Sequence, residues 1–210
     1  MKRKKSQTLS IAGVVGQLEI RLTEVDSSGS EKPAGLVVIS HPHPEFGGTM
    51  DNKVVTTIER SFQGLGYSTL AYNFRGVGDS EGEYDGGVGE QGDLACVVNW
   101  ARKQLMFSEL VLGGFSFGAY VTLSAQPSLK ADRLLIVAPP VGLYDFSGIE
   151  EVSVPWEVVI GLQDEVVEPR EMLDWAVSRE RQPTLYCRAE SSHFFHGQLV
   201  WLKKLISSIY

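Results

Sequence analysis

The amino-acid sequence predicts an α/β fold with a mainly parallel central sheet and helices on both of its faces. Short, continuously apolar segments, typical of strands buried on both sides, alternate with longer segments whose apolar residues recur at helical spacing. Such alternation of strands and helices indicates a parallel sheet covered by helices. The 210 residues, of which 43% are hydrophobic, suit one compact domain with a sizeable core.

The elements are predicted in the following order. Residues 8–25 alternate between apolar and polar side chains, which predicts an antiparallel strand pair with one wet face, and residues 26–30 form a loop. The predicted buried strands lie at 35–39, 68–72, 110–112, 134–138, 156–161 and 184–187. The predicted helices lie at 54–65, at 94–105 and at 199–209, and Asp51 or Asn52 is expected to cap the first of them. A further helix is expected to follow Gly118 and to end at Pro127.

The basic start of the chain is predicted to be a disordered tail over residues 1–7, followed by a single domain over residues 8–210. Four of the first five side chains are basic, while the whole chain carries a net charge of −7, so the remainder is acidic and no nucleic-acid partner is expected. No apolar run suits a signal peptide or a membrane span. Cys96 and Cys187 are expected to be buried free thiols in a reducing compartment, which predicts a cytoplasmic location.

The segment 110–120 carries the clearest chemical signal. An apolar run ends in two glycines, and Gly114-Phe115-Ser116-Phe117-Gly118 follows. This G-x-S-x-G pattern holds a serine on a sharp turn between a strand and a helix, where a Cβ at either outer glycine would collide with the backbone. Alone, the pattern also fits a glycine-rich turn of another α/β protein, because a serine is a poor nucleophile without a base.

An acid and a histidine follow the serine in the order Ser116, Asp164, His193, each just after a predicted strand. Open α/β sheets bind ligands at that end of their strands, so these side chains are expected to meet. We predict Ser116 as nucleophile, His193 as base and Asp164 as the acid that orients the base. Glu165 and His196 are the nearest alternatives for the acid and the base.

The loop after strand 35–39 begins His41-Pro42-His43-Pro44. Two histidines two residues apart suggest a metal site, but no third ligand is close in sequence, so no metal is expected. Pro42 and Pro44 lack an amide hydrogen, which leaves His43 as the donor between them, and we predict an oxyanion hole formed by the N–H groups of His43 and Phe117. The glycine-rich segment 73–82 lacks the Gly-Lys-Ser/Thr ending of a phosphate-binding loop, and no cofactor is expected.

Together these motifs resemble the α/β-hydrolase superfamily over nearly the whole chain, and within it the small lidless hydrolases of bacteria. The matching segments are His41-Pro42-His43-Pro44 with Gly47-Gly48, residues 73–80, Gly114–Gly118, Asp164, and His193-Phe194-Phe195-His196-Gly197. The resemblance implies an esterase-like activity on a small-molecule ester, without naming the substrate. One departure is Ser192, where the family carries an acidic residue. The oligomeric state stays open between monomer and homodimer.

The active site is predicted to be open and to accept short acyl groups. Lids in this fold usually follow the strand at 134–138, but only residues 142–153 are available there, too few to build a helical lid. The expected cleft walls are Leu143, Tyr144, Phe146 and Ile149, with Phe46, Phe115 and Phe117. A non-catalytic binding protein of the same fold is the main alternative, and a thioesterase or a peptidase is the alternative among enzymes.

Overall fold

The computed structural model of the protein describes residues 4–25 and 34–210. The strands are β1 (Lys4–Ala12), β2 (Gln17–Val25), β3 (Leu36–Ser40), β4 (Ser68–Tyr72), β5 (Leu110–Phe115), β6 (Arg133–Val137), β7 (Trp156–Gly161) and β8 (Thr184–Arg188). The helices are α1 (Lys53–Leu65), α2 (Val88–Gln104), α3 (Phe117–Leu129), α4 (Pro169–Ser178) and α5 (Leu199–Ile209), with a short 3₁₀ turn at Pro44–Phe46.

The eight strands of the described residues belong to one sheet in the order β1-β2-β4-β3-β5-β6-β7-β8. The pairs β1–β2 and β2–β4 are antiparallel, and every pair from β4 to β8 is parallel. The predicted α/β fold with a mainly parallel sheet is therefore confirmed. The carboxyl ends of β3 and β5 to β8 lie along one edge of the sheet, which brings the loops after them together.

Helices cover both faces of the sheet, which explains the continuously apolar strands. On one face, Val37 and Ile39 of β3 belong to a cluster with the apolar sides of α1 and α5. On the other face, Leu36 and Val38 belong to a cluster with α2, α3 and α4. Because side chains alternate across a strand, a strand between two helical layers needs apolar residues at successive positions.

Three elements differ from the predictions. Helix α3 continues through Pro127 to Leu129, because the proline lies in the last turn and removes a single hydrogen bond near an end that already has unpaired groups. Helix α4 was not predicted. Residues 4–7, expected in the disordered tail, belong to β1 and pair with residues 22–25. Residues 1–3 and the predicted loop at 26–30 lie outside the described residues.

Other local predictions agree with the structure in part. Helix α1 is capped by the side chain of Asn52, which accepts the Val54 N–H at 2.8 Å, and it ends at Gly66 in a left-handed conformation. Both cysteines are free, as expected, but Cys96 is half-buried and Cys187 is exposed rather than buried. Within residues 4–25 and 34–210, no helix is long and apolar enough to cross a membrane.

Candidate active site

Ser116 lies on the sharp turn between β5 and α3, where its backbone adopts φ 53° and ψ −120°. A non-glycine residue with positive φ is strained, so the surrounding contacts must hold it in place. A Cβ at Gly114 would lie 2.3 Å from the Gly118 carbonyl oxygen, and one at Gly118 would lie 2.3 Å from the Ser40 carbonyl oxygen. Both glycines are therefore required, because the first turn of α3 crosses the ends of β3 and β5 in close contact.

A continuous set of hydrogen bonds joins Ser116, His193 and Asp164. The Nε2 atom of His193 lies 2.9 Å from Ser116 Oγ, and its Nδ1 atom lies 2.7 Å from Asp164 Oδ2. The Oδ1 atom of Asp164 accepts the backbone N–H groups of Val166 and Val167 at 2.9 and 2.8 Å. Because a carboxylate only accepts hydrogen bonds, Nδ1 of His193 carries the proton and Nε2 is the acceptor for the Ser116 hydroxyl.

The two alternative residues lie nearby but make different contacts. The Oε2 atom of Glu165 accepts the backbone N–H of His193 at 3.1 Å, so Glu165 contacts the main chain rather than the imidazole. His196 is exposed, and its backbone N–H donates to Ser192 Oγ at 3.4 Å. The imidazole of His196 therefore lies outside the hydrogen-bonded set. Ser192 stands where an acidic residue was expected beside His193, but Glu165 places a carboxylate there instead.

The loops after β7 and β8, which carry the acid and the histidine, are joined through their backbones. The Gln163 N–H donates to the Ser191 carbonyl oxygen at 2.9 Å. Beyond the histidine, Phe195 adopts a positive φ of 53°, and its fully buried ring stacks on Trp201 at a centroid distance of 6.4 Å. A buried aromatic anchor of this kind holds the turn that follows His193 in its strained conformation.

Two histidine side chains shape the loop after β3. The Nε2 atom of buried His41 accepts the Phe74 N–H at 3.0 Å, and its Nδ1–H donates to the Pro42 carbonyl oxygen at 2.6 Å. Burial lowers the pKa of His41 to about 4, against the opposing effect of the Pro42 carbonyl, so the ring is neutral. The Nδ1 atom of His43 accepts the Glu45 N–H at 3.2 Å. Among the residues that the structure describes, no group of three or more His, Cys, Asp or Glu side chains is arranged to hold a metal ion.

The predicted oxyanion donors are the backbone amides of Phe117 and His43. Phe117 is the first residue of α3, so its N–H has no partner inside the helix. His43 precedes the 3₁₀ turn, and its carbonyl oxygen accepts the N–H groups of Phe46 and Gly48 at 3.2 and 3.0 Å. Over residues 4–25 and 34–210, neither predicted donor N–H has a protein acceptor. An unpaired amide is what a donor to an incoming oxyanion requires.

An aromatic cluster surrounds His43, and the sequence did not predict it as a unit. Tyr84 Oη lies 3.1 Å from His43 Nε2 and 3.4 Å from Tyr144 Oη. The ring of Tyr144 packs on those of Phe117 and Tyr120 at centroid distances of 5.5 and 4.7 Å. Tyr84 lies in a glycine-rich segment without periodicity, so no pattern marked it. Tyr120 follows Phe117 at helical spacing, which was the one available signal.

The cleft walls differ in part from the prediction. Four of the seven expected wall residues are buried instead: Phe115, Phe117, Phe146 and Ile149. The ring of Phe146 packs on Trp175 of α4 at 5.1 Å, because the segment after β6 folds down against that helix. Tyr144 is half-buried, and Leu143 and Phe46 are exposed. No helix forms between residues 138 and 155, so nothing from this segment covers Ser116 as a helical lid.

The side of the site near His193 is also open and partly apolar. Phe194 is exposed, and its ring packs on His193 at a centroid distance of 5.0 Å. A shallow cavity of about 370 Å³ adjoins it, between residues 47–54 and residues 194–199. Leu162 and Val166, in the loop after β7, are exposed as well. Small apolar groups can therefore contact either side of the candidate site.

Comparison with protein families gives a match over more than half of the chain. Residues 25–149 match the model of the X-Pro dipeptidyl-peptidase family, S15. The matched segment includes Ser116 and ends before Asp164 and His193. An uncharacterized protein from Rickettsia prowazekii is 34% identical over 168 residues, which are 77% of this chain and 68% of that protein.

Two solved structures are similar over nearly the whole chain. One is an α/β serine hydrolase without a lid from Xanthomonas campestris, 39% identical, with a TM-score of 0.90 over 97% of this chain and 93% of that one. The other is an α/β serine hydrolase homologue from Coxiella burnetii, also 39% identical, with a TM-score of 0.90 over 97% of this chain and 96% of that one.

Proposed function

Since the chain belongs to the α/β-hydrolase superfamily, and to its lidless serine hydrolases, we propose that it is a carboxylesterase that cleaves small esters of short acyl groups. The proposal assigns Ser116 as nucleophile, His193 as general base and acid, and Asp164 as the acid that orients the histidine. The observation that carries it is the hydrogen-bonded chain from Asp164 through His193 to Ser116, with separations of 2.7 and 2.9 Å.

In the proposed reaction, Ser116 Oγ attacks the ester carbonyl carbon while His193 Nε2 takes the hydroxyl proton. The Nδ1–H bond to Asp164 stabilises the imidazolium that forms. The amides of Phe117 and His43 donate to the oxyanion of the tetrahedral intermediate. His193 then gives its proton to the leaving oxygen, the alcohol departs, and an acyl group remains on Ser116. Water attacks this acyl-enzyme with His193 again as base, which releases the carboxylic acid and restores the serine.

The open cleft supports the preference for short acyl groups. The loop between β6 and β7 contains no helix, and its apolar residues Phe146 and Ile149 are buried in the core rather than available to enclose a ligand. Each buried methylene contributes roughly 0.8 kcal/mol, but only while the protein covers it. A long acyl chain would extend into water beyond Tyr144 and Leu143, so its additional carbons would add nothing.

Ser116→Ala tests the proposed function directly. We expect hydrolysis of p-nitrophenyl acetate to fall by on the order of 10³ or more, because the nucleophile is lost. Ser128→Ala is the matched control, since Ser128 lies at the other end of the same helix and its hydroxyl donates to the Ala125 carbonyl oxygen. A fluorophosphonate probe should label Ser116 in the parent and in Ser128→Ala. Unlabelled parent protein without ester hydrolysis would instead indicate the non-catalytic binding protein.

The S15 match supports a second candidate, a peptidase. The same nucleophile, base and oxyanion donors serve acyl transfer from an amide, so the site geometry alone does not separate the two. Values of kcat/KM for p-nitrophenyl acetate, an acetyl thioester and an alanyl-prolyl p-nitroanilide make the distinction. A larger value for the anilide than for the ester would replace the esterase proposal by the peptidase.

A further inference from the structure

The aromatic cluster around His43 has a fixed direction of hydrogen bonding. The backbone N–H of Glu45 can only donate, so His43 Nδ1 is the acceptor and, in the neutral ring, Nε2 carries the proton. Burial lowers the pKa of His43 against the opposing charges of Glu45 and Glu90, which favours the neutral ring. Nε2–H therefore donates to Tyr84 Oη, 3.1 Å away.

The two tyrosines can extend this direction of hydrogen bonding. Because Tyr84 Oη accepts from His43, its own proton is free to donate to Tyr144 Oη, 3.4 Å away. The proton of Tyr144 then has no acceptor in the part of the chain that the structure describes. Burial raises the pKa of Tyr144, so the hydroxyl stays protonated. Tyr144 thus has one hydrogen-bond donor left for a ligand.

The side chains that Tyr144 packs on assign it to the acyl side of the proposed site. Its ring packs at 5.5 Å from that of Phe117 and at 6.4 Å from that of His43, the two residues that supply the proposed oxyanion donors. The ring of His193 packs instead on Phe115 and Phe194, at 5.3 and 5.0 Å. Because His193 protonates the leaving oxygen, the alcohol lies on its side, which leaves the side of Tyr144 for the acyl group.

We propose that Tyr144 determines specificity by donating a hydrogen bond to an acceptor oxygen on the acyl group of the substrate. The favoured substrates are then esters of short alkoxy or keto acids rather than of plain fatty acids. This inference rests on the proposed esterase function and names the substrate class of that site. A hydrocarbon acyl group of the same length displaces water from the hydroxyl without replacing its hydrogen bond, which weakens transition-state binding.

Two matched esters test the proposal. The acyl groups of p-nitrophenyl methoxyacetate and p-nitrophenyl butyrate have the same length, with an oxygen in place of one methylene. The kcat/KM ratio of methoxyacetate to butyrate is measured for the parent, Tyr144→Phe and Tyr120→Phe. The intrinsic reactivities of the esters are common to all three proteins and cancel when these ratios are compared. We expect the ratio to fall about three- to tenfold in Tyr144→Phe, the range of one neutral hydrogen bond.

Tyr120→Phe is the control, because it keeps the ring that stacks on Tyr144 at 4.7 Å and removes only a hydroxyl. Its ratio and its butyrate kcat/KM should both equal those of the parent. An unchanged ratio in Tyr144→Phe, or a fall in Tyr120→Phe instead, would overturn the assignment of Tyr144 and leave the esterase function standing. If the parent hydrolysed neither ester, the proposed function would fail and this inference with it.

Discussion

Replacing Asp164 by asparagine should put the proton on the other nitrogen of His193. In the parent, Oδ1 accepts the N–H groups of Val166 and Val167, and Oδ2 accepts Nδ1–H of His193. Asparagine has one oxygen and one NH₂ group. The two backbone donors keep the oxygen on their side, so the NH₂ group faces Nδ1, which must then accept. Nε2 carries the proton as a result and no longer accepts from Ser116.

The expected loss of kcat is large because catalysis requires the proton on Nδ1 of His193, which leaves Nε2 free to accept from Ser116. A histidine held in the wrong tautomer lowers kcat by about 10⁴, which corresponds to about 5.5 kcal/mol of transition-state stabilisation. The fold should tolerate the change, since the bonds from Val166 and Val167 are retained. We expect no more than about 1–2 kcal/mol to be lost from the free energy of unfolding.

Glu165→Gln is the matched control, measured by kcat on p-nitrophenyl acetate and by urea denaturation. Glu165 accepts the backbone N–H of His193, and the glutamine oxygen can accept it equally. We therefore expect less than about a tenfold loss of kcat, since this contact lies outside the imidazole. Near-parent turnover in Asp164→Asn together with a collapse in Glu165→Gln would show that the two carboxylates had been assigned in reverse.

Three other perturbations test separate parts of the reasoning. His193→Ala should abolish fluorophosphonate labelling, whereas His196→Ala should retain it, and the opposite pattern would reverse that assignment. Along a p-nitrophenyl ester series, kcat/KM should rise over the first few carbons and then level or fall; a steady climb to laurate or palmitate would indicate a covered tunnel. The pKa of His41 is lowered from 6.5 to about 4 in the fold, so the unfolded chain takes up that proton first as the pH falls. Between pH 7.5 and 4.5 this should cost about 2.5 kcal/mol of unfolding free energy, and His41→Asn should lack that part of the pH dependence in urea titrations.

The sequence predicted the features that depend on local periodicity and chain order. Residues 36–39 are apolar at every position, and with Ser40 they form β3, buried between two layers of helices. The glycines around Ser116 predicted a close crossing of strand and helix, and the structure contains that crossing. In a parallel sheet, successive carboxyl ends lie at one edge, so the order Ser116, Asp164, His193 was sufficient to expect these side chains to meet.

The features that the sequence did not predict depend on contacts between distant segments. Tyr84 lies 41 positions from His43 and 60 positions from Tyr144, and no periodicity relates residues in three separate loops. The segment with Phe146 contains apolar and polar residues in no regular order. Whether the Phe146 ring lines the cleft or enters the core therefore depends on its contact with Trp175 of α4, a helix that was not predicted. The local pattern identifies which residues are apolar, but packing against the partner helix determines which of their side chains are buried.

Backbone strain is concentrated where the candidate site lies. The described residues include four non-glycine positions with positive φ, and three of them follow strands of the sheet: Ser116 after β5, Ala138 after the adjacent β6, and Phe195 beyond β8. Each such conformation costs on the order of 1–3 kcal/mol. The sheet offsets this cost, because the Ser116 N–H donates to the Val137 carbonyl oxygen and the Ala138 N–H donates to the Val159 carbonyl oxygen, both at 2.9 Å. Adjacent strands thus stabilise one another's turns, so the rigid parallel core allows Ser116 and Ala138 to keep conformations that an isolated loop would not keep.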